Sequence, residues 1–293
     1  MRHPVEEWFD ETWARARLVQ VLAGGEQTVP LDARPELGRV ESAGGLAELR
    51  ALSTRGDITD DVCRCLGSLT LALRDAEGLL LARASLHGGD ALLWDGGRRC
   101  GNLELGDPLG LALLLARHGE VRTLAHFSTR FALALGLREG RPQFRQAGHG
   151  PHGAGLLESR GVPRVLRPEL AGVSGHDCAR LPEAGVERLR SLLAGWEPYE
   201  HRRAVALLAW LGRLPETMEA EFGEGVLVRT LLRGLDPVAA ACDTSLPVDA
   251  QVALGLLRWA GAADEADAVD GMMLADLVEP ALRRVWPAGG RFG

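Results

Sequence analysis

Residues 62–119 read VCRCLGSLTLALRDAEGLLLARASLHGGDALLWDGGRRCGNLELGDPLGLALLLARHG, and this stretch decides the fold. Val62–Asp75 and Leu79–His87 are apolar-rich runs of strand length. Between them, Asp75-Ala76-Glu77-Gly78 suits a type I turn with glycine in the left-handed position. That turn predicts Leu73 opposite Leu81, Leu71 opposite Arg83, Leu69 opposite Ser85 and Gly67 opposite His87. Gly88-Gly89 suits a two-residue hairpin, which predicts His87 opposite Asp90 and Arg83 opposite Trp94. Arg83 over Trp94 would then be a cation–π pair.

A helix follows this three-stranded antiparallel meander. Asp107 is a good N-cap, Pro108 fits the first helical position, and Gly119 can end the helix. Leu109, Leu111, Leu113, Leu114 and Leu115 are not confined to one stripe, so the helix is expected to be covered on several sides. Sheet plus buried helix makes this the core of an α+β domain.

Upstream, Pro4–Ala23 reads as one amphipathic helix, with Val5, Trp8, Phe9, Trp13 and Ala16 at helical spacing before Gly24-Gly25. Its tryptophan stripe packs on a core or docks a partner. Gln27–Ser42 reads as loop with one or two short strands, and Leu46–Leu52 as a short helix. Thr54–Asp61 reads as a polar lead into the meander. Val121–Leu135 reads as a further helix. Arg138–Gly185 is rich in glycine and proline and reads as a long irregular connection, a kind of segment that is usually functional or a linker.

From Glu187 onward the chain reads as all-helical and carries an internal repeat. Pro198-Tyr199-Glu200 recurs as Pro247-Val248-Asp249. Ala204 matches Ala253, Leu207-Leu208 matches Leu256-Leu257, Trp210 matches Trp259, and Gly212 matches Gly261. The spacing lies just above that of helical-pair repeats such as HEAT. Pro280 is expected to bend or interrupt the last helix. The resulting division is an α+β domain over 1–137, a connection over 138–182 and a repeat-like helical domain over 183–293.

Composition narrows the function classes. At 293 residues and 46% hydrophobic, the chain can build a sizeable core without staples. Every Lys-or-Arg position is arginine and Ile58 is the sole isoleucine. Lysine and isoleucine codons are AT-rich, so the arginine excess reflects base composition rather than phosphate binding. The net charge of −7 and the absence of an arginine run with interleaved aromatics argue against nucleic acid. Five cysteines, an odd number in a long chain, are not a disulfide scaffold. No apolar run is long enough for a transmembrane helix and the N-terminus lacks a signal-peptide pattern, so no membrane is expected and the expected location is cytoplasmic.

Several residue groups are candidates for chemistry. Cys63 and Cys65 share a strand face, with His87 near it and Cys100 as a fourth donor. They are core cysteines, a zinc set or redox or nucleophilic thiols, although C-x-C is not the usual zinc spacing. His87 and Asp90 flank a tight turn and are a general-base pair or a turn pair. His149, His152, His176 and Cys178 lie in or beside the glycine-rich connection, where a site between two domains would sit. No phosphate loop, dinucleotide fingerprint or nucleophile elbow occurs, so no cofactor is expected. The expected function is a non-catalytic adaptor or regulatory protein that presents a helical surface to a protein partner. The alternative is a metal- or thiol-dependent enzyme acting through His149, His152, His176 or Cys178.

Overall fold

The computed structural model describes residues 4–25, 29–59, 65–95, 101–136, 153–214, 221–242, 248–262 and 269–288. The chain divides into two compact units, 1–124 with 286–293 and 125–285. The first is α+β and the second is helical.

The first unit is built on one sheet. Its strands are β1 (Leu18–Ala23), β2 (Glu36–Val40), β3 (Gly56–Thr59), β4 (Leu69–Arg74), β5 (Leu80–His87), β6 (Ala91–Trp94) and β7 (Asn102–Leu105). They lie in the order β2-β1-β4-β5-β6-β7-β3, and all neighbours are antiparallel. The expected meander is therefore the middle of a wider sheet. Helices α1 (Pro4–Arg15), α2 (Ala43–Thr54) and α3 (Pro108–Arg117) complete the unit.

The expected helix over Pro4–Ala23 stops at Arg15, and Leu18–Ala23 is a strand. Val19 and Val21 alternate with half-buried Leu18 and Gln20 and are themselves fully buried. Two β-branched residues at period two fit a strand held between β2 and β4 better than the end of a helix.

Both hairpins differ from the expected register by one residue. At the first, Arg74 pairs with Leu80 and the Asp75 carboxylate accepts from the amides of Glu77 and Leu79 at 3.1 and 2.9 Å. A bulge then shifts the ladder, so Leu73 pairs with Ala82, Leu71 with Ala84 and Leu69 with Leu86. The slip gathers the apolar residues onto one face and leaves Thr70, Arg83, Ser85 and His87 on the other. At the second hairpin the loop holds three residues, Gly88, Gly89 and Asp90. The Asp90 amide donates to the His87 carbonyl at 3.2 Å, and His87 pairs with Ala91.

Trp94 consequently pairs with Ala84, not Arg83, and the expected cation–π contact is not made. Trp94 is fully buried and takes edge contacts from Trp8 and Phe9 of α1, with centroids 5.8 and 5.2 Å away. Each such contact contributes about 0.5–1.5 kcal/mol beyond burial. The α1 stripe is thus core.

Helix α3 forms as expected. The Asp107 carboxylate accepts from the Gly110 amide at 3.0 Å, and Pro108–Ala116 are all buried.

In the second unit, the helices Glu200–Arg213 and Ala250–Ala262 pack directly on each other. Contact is backbone to backbone. A Cβ on Gly212 would stand 1.8 Å from the Gln251 carbonyl oxygen, and one on Gly255 would stand 2.0 Å from that of Leu208. The Arg258 guanidinium donates to the carbonyls of Leu211 and Leu214 at 2.9 and 2.7 Å, serving the C-terminal end of the first helix.

Pro280 does not interrupt the helix Gly271–Val285. The reading of 138–185 as irregular also needs correction where residues are described. Ala154–Ser159, Arg167–Leu170 and Gly175–Cys178 are short helices, with Leu157, Val162, Leu166 and Leu170 buried beneath them.

Candidate functional site

The sheet has two unlike faces. One is apolar: Leu69, Leu71, Ala84, Leu86, Leu92 and Trp94 join the core cluster with α1. The other is polar yet still buried in the middle, with Thr70, Ser85 and His87 all at 2% exposure or less. Buried polar groups need partners, and here they find one another.

His87 is the last residue of β5. Its Nε2 lies 2.8 Å from Ser85 Oγ, two residues back on the same face. Its Nδ1 lies 3.0 Å from Cys65 Sγ. The segment that carries Cys65 is tied down on both sides. The Ser68 amide donates to the Leu86 carbonyl at 2.8 Å, and the Gly24 amide donates to the Ser68 carbonyl at 3.1 Å.

Gly67 has a φ of +76°, and a Cβ there would stand 3.3 Å from His87 Nε2. Glycine therefore lets the chain cross over the imidazole and bring Cys65 to its edge. Cys65 is exposed, while the ring that touches it is not.

The network continues across the sheet. Thr70 is the cross-strand partner of Ser85. Buried Arg34 donates to Thr70 Oγ1 at 2.9 Å and to the Gly24 carbonyl at 3.2 Å. Arg34 thereby clamps the loop next to the Cys65 segment onto β4.

Chemically, this is a thiol in hydrogen-bond contact with an imidazole whose other nitrogen is held by a hydroxyl. It is the nucleophile–base–orienting-group order of thiol catalysis. A tetrahedral zinc between the same sulfur and nitrogen would hold them roughly 3.6 Å apart, from ordinary Zn–S and Zn–N lengths. The 3.0 Å separation is that of a direct hydrogen bond. Among the described residues, no group of three or more His, Cys, Asp or Glu is arranged to hold a metal ion.

Cys63, Cys100, His149 and His152 lie outside the described residues. Asp90 closes the β5–β6 loop through its amide rather than standing opposite His87. His176 and Cys178 share the short helix Gly175–Cys178, capped by Ser174, whose Oγ accepts from the Asp177 amide at 3.1 Å. Cys178 is 2% exposed. Burial pushes its thiol up to about 11, against a smaller opposing pull from the charge of Arg160. A thiol in that state is a core residue, not a thiolate nucleophile.

Three participants are not among the expected site residues: Ser85, Thr70 and Arg34. Ser85 stands two residues before His87, which puts both on one face of the strand in any register, whereas Thr70 comes opposite Ser85 only with the bulged register. A second buried polar cluster lies in the helical unit, where the Glu224 carboxylate pairs with Arg160 and accepts from Trp210 Nε1 at 3.4 Å. Glu224 belongs to a π-helical segment, Glu221–Gly225. No sequence spacing marks the pair, because its members are far apart in the chain.

Comparison with family models, with curated proteins and with solved structures finds no match to this chain. No helix among the described residues is long and apolar enough to cross a membrane.

Proposed function

We propose that the first unit is a thiol-dependent catalyst of acyl-group transfer or hydrolysis, with Cys65 as nucleophile and His87 as base. The observation that carries this reading is the 3.0 Å contact between Cys65 Sγ and His87 Nδ1, made by an exposed thiol and a buried ring. Cys65 sulfur attacks a carbonyl carbon while its proton passes to His87 Nδ1. The tetrahedral adduct expels the leaving group, which takes that proton. Water, deprotonated by the same imidazole, then cleaves the thioester and restores the thiol. Ser85 Oγ accepts from the Nε2 proton of the imidazolium and holds the ring in place. This set differs from the one expected around His149, His152, His176 and Cys178.

A burst experiment with p-nitrophenyl acetate tests the reading. About one equivalent of p-nitrophenolate per chain is expected before steady turnover, with the acetyl group on Cys65 by mass spectrometry. A release curve identical in Cys65→Ala sinks it.

A second reading, an adaptor surface on the helical unit, draws support from one feature. Trp196 and Tyr199 are 36% and 57% exposed where one helix ends and the next begins, with Arg202 over the Tyr199 ring at 5.1 Å. Exposed aromatics with arginine suit protein interfaces. Copurification from native lysate checks it: a stoichiometric partner lost in a Trp196→Ala/Tyr199→Ala double variant supports the surface, and retention of that partner removes it.

A further inference from the structure

The segment that carries the Cys65 thiol is not anchored by burial of its own side chains. Cys65 is exposed, Leu66 is 62% exposed and Gly67 has no side chain. A sulfur there keeps a fixed distance from an imidazole only if other groups hold its backbone. On one side β5 does so, because the Leu86 carbonyl accepts from the Ser68 amide at 2.8 Å. On the other side lie Gly24 and Gly25, the two residues that follow β1.

Gly25 is buried, and its backbone lies directly against the segment. A Cβ on it would stand 2.0 Å from the Leu66 carbonyl oxygen and 2.8 Å from Gly67 Cα. Arg34, itself buried, fixes this glycine pair. Its guanidinium donates to the carbonyls of Gly24 and Gly25 at 3.2 and 2.5 Å, to that of Val29 at 3.1 Å and to Thr70 Oγ1 at 2.9 Å. Thr70 Oγ1 in turn donates to the Gly24 carbonyl at 2.7 Å. Hydrogen bonds from a charged group are strong, and a planar guanidinium serves several acceptors at once. Moving Gly24 and Gly25 therefore breaks several such bonds together, so Leu66 and Gly67 rest against a backbone that does not yield.

We infer that Arg34 is a positioning residue for the thiol. Through Gly24 and Gly25 it sets the path of Leu66 and Gly67, and so holds Cys65 Sγ against His87 Nδ1. This rests on the thiol reading given above and adds to it the group that keeps sulfur and imidazole in contact.

Iodoacetamide alkylation of Cys65 as a function of pH, read on the full-length protein by peptide mapping, tests the assignment. Three variants are compared with the native chain, and circular dichroism and urea midpoints are recorded for each. Arg34→Lys keeps the charge and loses the planar fork. Gly25→Ala leaves Arg34 in place and pushes on Leu66 and Gly67. Thr70→Val removes one hydroxyl from the clamp and keeps the test open if the other two do not fold. In the native chain the reaction should persist below the pH at which an ordinary thiol, titrating near about 8.5, loses its thiolate. In Arg34→Lys and Gly25→Ala the rate at pH 7 is expected to fall about tenfold, with the profile returning to that of an ordinary thiol; Thr70→Val shifts it the same way by less. Adding His87→Gln to Arg34→Lys or Gly25→Ala should cost nothing further, since both changes break one contact. A role in folding alone would lower the urea midpoint and leave the pH profile of the folded chain unmoved. An unmoved profile in the folded variants, or a full further loss on adding His87→Gln, overturns the inference and leaves the thiol reading standing. An ordinary rate and profile in the native chain overturns the thiol reading and the inference with it.

Discussion

Cys65, in the sheet unit, and Cys178, in the helical unit, meet opposite environments. Cys65 is exposed and stands 3.0 Å from an imidazole. Cys178 is 2% exposed, and burial pushes its thiol up to about 11. In the first unit buried Ser85 and His87 line up on a reachable sulfur. In the second, Arg160, Glu224 and Trp210 are spent on each other. Burial alone therefore says little about function: His87 and Glu224 are both buried and titratable, but only His87 touches a nucleophile that solvent can reach.

The largest expected effect is the labelling contrast itself. At pH 7 a thiol that titrates near 11 is about 10⁻⁴ thiolate, before any cost of opening the fold. An ordinary thiol titrating near 8.5 is about 3% thiolate at that pH, so iodoacetamide should modify a Cys65 activated about tenfold over it on the order of 10³-fold faster than Cys178, as read by tryptic peptide mapping under native conditions. Trypsin cleaves after Arg64, so Cys63 and Cys65 fall on separate peptides. Comparable rates at Cys65 and Cys178 would break the comparison.

Next in size is the ion pair of the helical unit. Glu224→Ala leaves the Arg160 guanidinium, 14% exposed, without its carboxylate. Removing one partner of a buried pair costs about 3–5 kcal/mol. The variant should unfold at correspondingly lower urea, and its Cys178 should label faster while Cys65 is unchanged. An unchanged urea midpoint would show that the pair is replaceable.

A smaller effect follows from pH. The Cys178 thiol titrates higher in the folded chain than in the unfolded one, near 9. The folded state thus favours the protonated form. The stabilisation is fully present below about pH 9 and is lost as pH rises through about 11. The difference corresponds to roughly 2–3 kcal/mol. Urea midpoints between pH 9 and 11 should fall for the native chain and stay nearly level for Cys178→Ala. Equal slopes would sharpen the comparison against Cys178 as the titrating group.

The smallest effect concerns Ser85. Ser85→Ala removes the hydroxyl 2.8 Å from His87 Nε2 without touching the thiol contact. A loss of about tenfold in Cys65 alkylation, worth roughly 1.4 kcal/mol, is expected for one orienting hydrogen bond.

Much of the fold was legible because its signals were local. The Asp75–Gly78 turn, the Asp107-Pro108 helix start and the α1 apolar stripe each depend on a few adjacent residues. The strand Leu18–Ala23 was not legible, because its conformation is set by β2 and β4 on either side. The site was half legible. Cys65 and His87 stood out as chemical types and were placed near each other. Ser85 was readable from its period-two spacing to His87; Thr70 was not, because a bulge at Leu73/Arg74 and a three-residue loop at Gly88–Asp90 each shift the ladder by one, and Arg34 was not, because it reaches Thr70 from 36 residues away. A single-residue slip exchanges faces, and no local preference in those turns settles it. The Arg160–Glu224 pair was invisible for a different reason: it joins elements far apart in sequence with no motif at either end.

The most direct measurement is the rate of iodoacetamide alkylation at Cys65, taken at pH 7 on the full chain and on His87→Gln. N-acetylcysteine serves as the small-thiol reference, and circular dichroism checks that the variant is folded. A rate about tenfold or more above the reference, falling to or below it in folded His87→Gln, is the expected result. A rate at or below the reference that His87→Gln leaves unchanged would contradict a thiol activated by its imidazole.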